Sequence, residues 1–498
     1  MLLDELITGH DPESIAIRGP ENVTYGQLKE HIAQYRTVLQ TKGVKRGDRV
    51  GLYEQNSPAF IYIYFAIVSL GAIVVPVNCM LTEAEVDYIA KDAGLVLLVA
   101  HKELHTAAPL LLVATLVEEA QDIAVAECVP AEAQREDTDV TTFIYTSGTT
   151  GRPKGAMLTH RNLAENVKQF NAVLPHEPED HVLCVLPMYH CFGWTTCVVN
   201  PLIRGGSVVP VNTFRPGEIL QAIETYAVTV SFLVPPLYHL LVRLATPERL
   251  KSVRLFVSGG ASLPEPVAKK FENIYGRPII EGYGLSEASP VVAVNPEDKH
   301  KYYSIGPALP GVRVKIDGYD ATTYEPGTIG ELLVQGANVM QGYWHLPEAT
   351  AEALQDGWLH TGDLAYMDED GYIYIVDRSK DMIIVNGENV YPREVEDEIY
   401  RYPGVAEVAV VGHPDGLRGQ FVCAYIVLQE DAELDTQALR KYLAQRLAAF
   451  KLPRKYVVLD ALPKNSTGKI LKRVLQESDT FSGAESDDKN NAQNERDK

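Results

Sequence analysis

Positive charge is in short supply in this chain. Lys and Arg number 45 against 66 Asp and Glu, a formal net charge of −21. That balance argues against general affinity for nucleic acid or for an anionic membrane surface, while leaving room for local basic pockets. Cysteine is also sparse: Cys79, Cys128, Cys184, Cys191, Cys197 and Cys423 form no CxxC pair, and no histidine spacing suggests zinc. Reduced, buried thiols are expected, not a disulfide or zinc framework. Cys184, Cys191 and Cys197 read as small apolar residues, not nucleophiles. No basic stretch follows Met1, so no signal peptide is expected, and Glu495-Arg496-Asp497-Lys498 carries no peroxisomal or reticulum address. A cytoplasmic protein is expected. There is no internal repeat. One charge-free run, residues 58–77, is long enough to span a bilayer, but Gly71 and Pro76 split it and no Lys/Arg asymmetry flanks it. It reads as a buried helix over 58–70 and a strand over 72–75, so no integral membrane segment is expected.

What is present is a chain of 498 residues, 46% hydrophobic and 22% charged, the balance of a soluble globular protein with more than one domain. Thr24 has the chemistry of a helix N-cap, and Leu28, Ile32, Tyr35 and Leu39 follow at helical spacing. Short apolar strands over 49–53, 73–75 and 95–99 alternate with helices, the pattern of a parallel sheet covered on both faces. Residues 118–140 are acidic and Ala-rich and read as a surface connection. From Ile329 the pattern turns β-like, with strands over 330–334 and 371–376. After Asp377-Arg378-Ser379-Lys380-Asp381 an α+β pattern begins, with strands over 406–411 and 421–428 and a helix over 436–449. The expected fold is α/β: a large N-terminal domain, 1–378, of parallel-rich sheets with helices plus a β-rich subdomain, then a small α+β C-terminal domain, 379–476. Residues 477–498 are polar, without periodicity, and are expected to be disordered.

The segment Tyr145-Thr146-Ser147-Gly148-Thr149-Thr150-Gly151-Arg152-Pro153-Lys154-Gly155 follows the apolar run Thr142-Phe143-Ile144. Its glycines let the backbone approach an anion, consecutive N–H groups can form an anion nest, and hydroxyls and Lys154 add donors and charge. Such a loop suits the polyphosphate of a nucleotide. It is not a Walker loop, because Lys154 is followed by Gly155 and not by Ser or Thr.

Further strings follow in order. They are Leu186-Pro187-Met188-Tyr189-His190-Cys191-Phe192-Gly193, Ser258-Gly259-Gly260-Ala261, Glu281-Gly282-Tyr283-Gly284-Leu285-Ser286-Glu287, Thr361-Gly362-Asp363, the Asp377–Asp381 string, and Leu462-Pro463-Lys464-Asn465-Ser466-Thr467-Gly468-Lys469. From about Thr24 to Arg473 the chain resembles the adenylate-forming superfamily of acyl-CoA synthetases, luciferases and peptide-synthetase adenylation domains. It looks most like the bacterial long-chain fatty-acid–CoA ligases. In that order the strings resemble the acyl-pocket motif, the adenine-side loop, the aromatic–Gly–x–Thr–Glu motif, the ribose turn, the hinge and the C-terminal lysine loop. Three positions depart from the pattern: Asp377 stands where Gly is common, Ser286 where Thr is common, and Gln420 where an acid is common. None removes a catalytic group.

The resemblance implies ATP and CoA as co-substrates, Mg²⁺ as cofactor and a fatty acid as the third partner. ATP and AMP would be met by Thr146, Ser147, Gly148, Thr149, Thr150, Gly151 and Lys154, and by Gly259, Gly260 and Ala261. Glu281, Gly282, Tyr283, Gly284, Ser286, Asp363, Ile375, Arg378 and Lys469 complete that set. Glu287, a hard oxygen ligand, and the Thr146 hydroxyl would hold Mg²⁺. Tyr283, flanked by glycines, can lie against adenine; Asp363 can accept from both ribose hydroxyls; Arg378 offers a fixed donor fork. Lys469 would bridge the substrate carboxylate and the α-phosphate. His190 would line the carboxylate site, with Phe192, Trp194, Val234 and Leu237 as apolar pocket candidates. Lys380 would be the hinge of a mobile C-terminal domain, which after adenylation withdraws Lys469 and brings Asn386, Gly387 and Glu388 beside the CoA arm.

The implied reaction has two steps. Carboxylate attacks the α-phosphorus of ATP to give acyl-AMP and pyrophosphate; a thiol then displaces AMP. The attacking carboxylate is already an anion, so catalysis is positioning and charge neutralisation by Lys469, Thr146, Glu287 and His190. Adenylation domains of peptide synthetases carry an Asp in the acyl-pocket motif to pair with an ammonium group. Tyr189-His190-Cys191-Phe192 has no acid, which disfavours an amino-acid substrate. A fatty acyl-CoA synthetase is the leading reading, with an aryl or other small-acid CoA ligase next and an acyl-AMP ligase loading a carrier protein third. From a different class, a non-catalytic nucleotide-binding regulator stands as the alternative. Oligomeric state is left open, a homodimer included.

Overall fold

The computed structural model describes residues 1–147, 152–317, 325–415, 419–464 and 469–477. Two compact units divide the chain between Ile375 and Val376.

The first unit is built on two parallel-rich sheets and a smaller antiparallel one. In one sheet the strands run Leu110–Leu112, Leu97–Ala100, Arg49–Tyr53, Ile73–Pro76, Val140–Ser147 and Pro153–Thr159, with the last pair antiparallel and the others parallel. A second sheet runs Val291–Val294, Ile279–Gly284, Leu255–Ser258, Val230–Leu233, His181–Cys184, Ser207–Pro210, Ile15–Ile17 and Val23–Thr24. Only its two edge pairs are antiparallel among the described residues. The strand interiors are continuous apolar runs because helices cover both faces. Arg313–Ile316, Gly330–Gln335, Trp358–Met367 and Leu354–Gln355 pair antiparallel in the third sheet, and Ile373–Arg378 pairs with Trp358–Met367 as its fifth strand.

Local signals set several boundaries. Thr24 caps the helix Tyr25–Thr41 in a full capping box with Gln27. The charge-free run becomes the helix Pro58–Ser69 and the strand Ile73–Pro76. Every residue from Phe60 to Ser69 is buried, so this helix belongs to the core. No helix among the described residues is long and apolar enough to cross a membrane. The stretch 118–140, expected as a surface connection, lies at the surface with only Ala120 buried, and it is tied down at two points. Arg36 donates to the Val129 carbonyl at 2.6 and 2.9 Å, and Arg135 pairs with Asp4 at 2.6 Å with both side chains nearly inaccessible. Cys184, Cys191, Cys197 and Cys423 are buried, but Cys79 and Cys128 are only half-buried.

The second unit has a sheet of Glu388–Val390, Ile383–Val385, Gly419–Leu428 and Val405–Asp415, with Lys455–Val458 parallel to the long central strand. The helices Pro392–Tyr400 and Thr436–Ala444 supply Val395, Ile399, Leu439 and Leu443 to a separate small core. The helix expected over 436–449 stops at Ala444, and a short 3₁₀ turn, Ala449–Lys451, follows. Residues 478–498, the expected tail, lie outside the described residues.

Candidate active site

The strand Val140–Ser147 carries Thr146 at its end, directly opposite Lys154 on the returning strand Pro153–Thr159. Residues 148–151 and the Ser147 side chain lie outside the described residues. The hairpin's base is firm. The Tyr145 ring lies against Gly155, where an added Cβ would meet it at 3.2 Å, and the Tyr145 hydroxyl donates to Asp92 at 2.5 Å. A side chain at position 155 would press on the Tyr145 ring, which accounts for the glycine.

Glu287 sits in the short turn Ser286–Ala288, against which the strand Pro153–Thr159 packs. Its carboxylate accepts a hydrogen bond from the Tyr343 hydroxyl at 2.8 Å. The turn is held from behind by two buried asparagines. Asn338 donates to the Ala288 carbonyl at 2.9 Å; Asn166 donates to Val291 O at 2.7 Å and accepts from Val291 N–H. Glu287 is a half-buried carboxylate, the kind of single ligand Mg²⁺ takes when substrate phosphates complete its shell. No group of three or more His, Cys, Asp or Glu suited to a metal exists among the described residues.

Tyr283 and Asp363 come from different sheets and meet: the Tyr283 hydroxyl donates to the Asp363 carboxylate. A register shift between Tyr283 and Gly284 marks a bulge, the kind of irregularity that re-aims a side chain. Asp363 is held in turn by its own N–H on Thr361 Oγ1 at 3.1 Å, and Gly362 N–H donates to Glu331 at 2.8 Å. Glu281 is buried and its carboxylate accepts the Leu263 N–H at 3.1 Å, an anchor for the loop of Gly259, Gly260 and Ala261. Ile375 is half-buried in the strand Ile373–Arg378.

The acyl-pocket motif is clamped by Asn56, a residue the sequence did not single out. Its amide donates to the carbonyls of Cys184, Leu186 and Val211 at 3.1, 2.9 and 3.2 Å, and its oxygen accepts from Met188 N–H at 2.8 Å. His190 Nδ1 accepts the Phe192 N–H at 3.2 Å. Cys191 Sγ and Ser286 Oγ lie 3.2 Å apart, which joins this motif to the Glu287 turn; burial pushes the Cys191 thiol up to about 12, consistent with a packing role. A Cβ on Gly259 would meet the Phe192 ring at 2.9 Å, and one on Gly260 would meet Val234 at 3.7 Å. Phe192, Val234, Gly259 and Gly260 thus share one wall, with Leu237 buried just beyond Val234. Trp194 is placed elsewhere: it is 2% exposed and packs on Phe60, Tyr64 and Phe65 with ring centroids 5.4, 4.0 and 5.6 Å away. Core packing accounts for it.

In the second unit, Arg378 precedes the exposed 3₁₀ turn Ser379–Asp381 that holds Lys380. Asp377, a departure from the family pattern, is buried and accepts the N–H groups of Arg378 and Arg393 at 2.8 and 2.9 Å; burial raises its pKa. Asn386 and Gly387, at φ 54° and 85°, form the two-residue turn between Ile383–Val385 and Glu388–Val390. Two consecutive left-handed residues are what a type I′ hairpin requires. No atom of the described residues lies within 4 Å of a Cβ at Gly387, and its left-handed backbone conformation accounts for the glycine. Residues 465–468 lie outside the described residues. The flanks of that loop are joined by a bridge between Lys464 and Ile470 and by Leu471 N–H on Pro463 O at 2.8 Å. Lys472 pairs with Glu396 at 2.8 Å, three residues past the half-buried Lys469.

The first unit thus holds the Thr146–Lys154 strand pair, the Glu287–Tyr343 contact, the Tyr283–Asp363 contact and the apolar surroundings of Gly259 and Gly260. The AMP-binding enzyme family matches residues 7–344, and the AMP-binding enzyme C-terminal domain matches residues 394–469. Feruloyl-CoA synthase of an Amycolatopsis species is 38% identical over 470 residues, covering 93% of this chain and 95% of that protein. Long-chain-fatty-acid–CoA ligase of Bacillus subtilis is 34% identical over 529 residues, covering 96% and 94%. Among solved structures, ATP-bound MatB from Rhodopseudomonas palustris gives a TM-score of 0.89 at 33% identity over 96% of this chain and 99% of that one. The anthranilate CoA ligase AuaEII in complex with anthranoyl-AMP gives 0.89 at 27% identity over 95% and 96%.

Proposed function

The chain belongs to the AMP-binding enzyme family, among the acyl- and aryl-CoA ligases, and from that premise we propose that it joins a fatty acid to CoA through an acyl-AMP intermediate. The observation that carries the substrate class is the wall formed by Phe192, Val234, Gly259 and Gly260. It is apolar, and the neighbouring Tyr189-His190-Cys191 string brings no acid to pair with an ammonium group. Such a wall suits a carboxylic acid with an apolar tail.

ATP is read as lying with its polyphosphate along the Thr146–Lys154 hairpin and its ribose at Asp363. Thr146 and Glu287 would hold Mg²⁺, which when bound offsets charge on the departing pyrophosphate. Lys154 adds a cation on the same side. His190, fixed by the Phe192 N–H, is suited to orient the substrate carboxylate. Lys469 and Arg378 are proposed as further nucleotide contacts, and the Asn386–Glu388 hairpin is proposed to serve the thiol step. Most of the acceleration would come from pre-set geometry and fixed charge, since no proton has to be removed from the attacking carboxylate.

A second reading rests on one observation: the 38% identity with feruloyl-CoA synthase favours an aryl acid. The test is kcat/KM for thioester formation across fatty acids from short to long chain and across hydroxycinnamic and benzoic acids. The fatty-acid reading expects the highest value with a fatty acid. A higher value with an aryl acid would replace it with the second reading.

A further inference from the structure

Tyr343 belongs to none of the strings that carried the sequence reading, yet three parts of the phosphate side converge on it. Its hydroxyl donates to Glu287 Oε1 at 2.8 Å. The Lys154 ammonium lies 5.2 Å from the centre of its ring, within the range in which a cation is attracted to an aromatic face. Its backbone forms an antiparallel bridge with Ala156, two residues from Lys154.

The ring has little freedom to leave this place. Trp344 N–H donates to Gly155 O at 2.8 Å and Met157 N–H to Gly342 O at 2.9 Å, so the backbone on both sides is stitched to the strand that carries Lys154. Tyr343 N–H donates to Thr350 Oγ1 at 2.9 Å. Gly342 has φ 145°, and a Cβ there would meet Thr350 at 2.6 Å. The same segment also holds the Glu287 backbone, because Met340 N–H donates to Glu287 O at 2.8 Å. Residues 338–344 therefore form a brace between the Lys154 strand and the Glu287 turn, with Tyr343 supplying its side-chain contacts.

We propose that Tyr343 is a positioning residue for the adenylation step: its hydroxyl fixes the rotation of the Glu287 carboxylate and its ring fixes the Lys154 ammonium. The anion and the cation then face the metal–polyphosphate end of ATP at a set separation. The inference rests on the proposed roles of Glu287 and Lys154. A carboxylate has two oxygens and about four lone-pair sites, so one hydrogen bond orients it and still lets it take a cation.

The test is Tyr343→Phe, which keeps the ring and the backbone bridge and deletes the donor. Binding of a non-hydrolysable ATP analogue is measured by calorimetry with and without Mg²⁺, in the wild type, Tyr343→Phe, Glu287→Gln and the double variant. A hydrogen bond to a charged group sets the scale of the effect. Tyr343→Phe should weaken binding with Mg²⁺ about tenfold and change binding without Mg²⁺ by less than about twofold. It should add nothing in the Glu287→Gln background. A purely structural role predicts equal weakening with and without Mg²⁺, or the same weakening in both backgrounds; either result overturns the proposal. Wild-type affinity for the analogue unaffected by Mg²⁺ would instead overturn the metal role of Glu287, and the Tyr343 assignment with it.

Discussion

Lys469 is the residue on which the two half-reactions should separate. A lysine that bridges carboxylate and α-phosphate is needed to form acyl-AMP but has no task once the anhydride exists. Lys469→Ala is therefore expected to lower acid-dependent pyrophosphate release by two or more orders of magnitude, roughly the scale for losing a charge-stabilising group. Thioester formation from supplied acyl-AMP should stay within severalfold of wild type. Equal loss in both assays would remove the assigned role. At this scale the sequence was informative about residue types: Thr146, Lys154, Tyr283, Glu287 and Asp363 all announce their chemistry within short strings. The supports were not legible. Asn56 reaches the carbonyls of Cys184 and Val211, and Asn338 reaches Ala288. Each is one ordinary amide with no local pattern, and its partner becomes a neighbour only when distant strands pair. Tyr343 was hidden for the same reason. Trp194 shows the converse, since an aromatic beside a pocket motif can equally belong to the core, and only its contacts with Phe60 and Tyr64 decide.

Among elements, the hairpin Ile383–Val390 gives the cleanest expectation. Gly387 is left-handed and no atom of the described residues crowds its Cβ position, so Gly387→Ala should destabilise through backbone strain. About 1–2 kcal/mol is the ordinary cost of that conformation for an L-residue, readable as a shift in the denaturant midpoint. Stability equal to wild type would show that the turn relaxes to another type. Gln420, standing where an acid is common in the family, has a task in the same element: its Oε1 accepts the Ile384 N–H at 2.8 Å. Element type was legible wherever periodicity ran long, as in Tyr25–Thr41 with its Thr24 cap. Element ends were less so. The strand expected over 406–411 runs from Val405 to Asp415, because its partner Gly419–Leu428 continues to pair with it residue for residue. Pairing of that kind is tertiary information. The acidic stretch 118–140 lies at the surface as its composition suggests, but its ties through Arg36 and Arg135 are contacts that composition does not encode.

For the whole molecule, buried histidines set the expected response to acid. His176 stacks on Phe232 at 5.8 Å inside the first unit, and burial lowers its pKa from 6.5 to about 4. His160, whose Nδ1 accepts the Leu3 N–H at 3.0 Å, is lowered to about 4 for the same leading reason. Between these values the unfolded chain binds more protons than the folded one. The contribution is therefore fully present above about pH 6.5 and is lost as pH falls toward 4, by roughly 1.4 kcal/mol per pH unit for each ring. Tm should fall on acidification, and His176→Gln should show a shallower fall than wild type; parallel curves would mean that His176 titrates normally. The fold class was legible from alternating strands and helices, and a change of pattern beyond Asp377 suggested a second unit. The central claim, an acid- and thiol-dependent ligase, is tested most directly by one quantified reaction. Protein, ATP, Mg²⁺ and CoA are incubated with each of a panel of fatty and aryl acids, and nucleotides and thioester are measured together. The account predicts AMP and acyl-CoA in equal amounts, no ADP, and acyl-AMP held on the protein when CoA is left out. ATP bound without AMP formation from any acid would contradict it and leave a nucleotide-binding protein on a ligase fold.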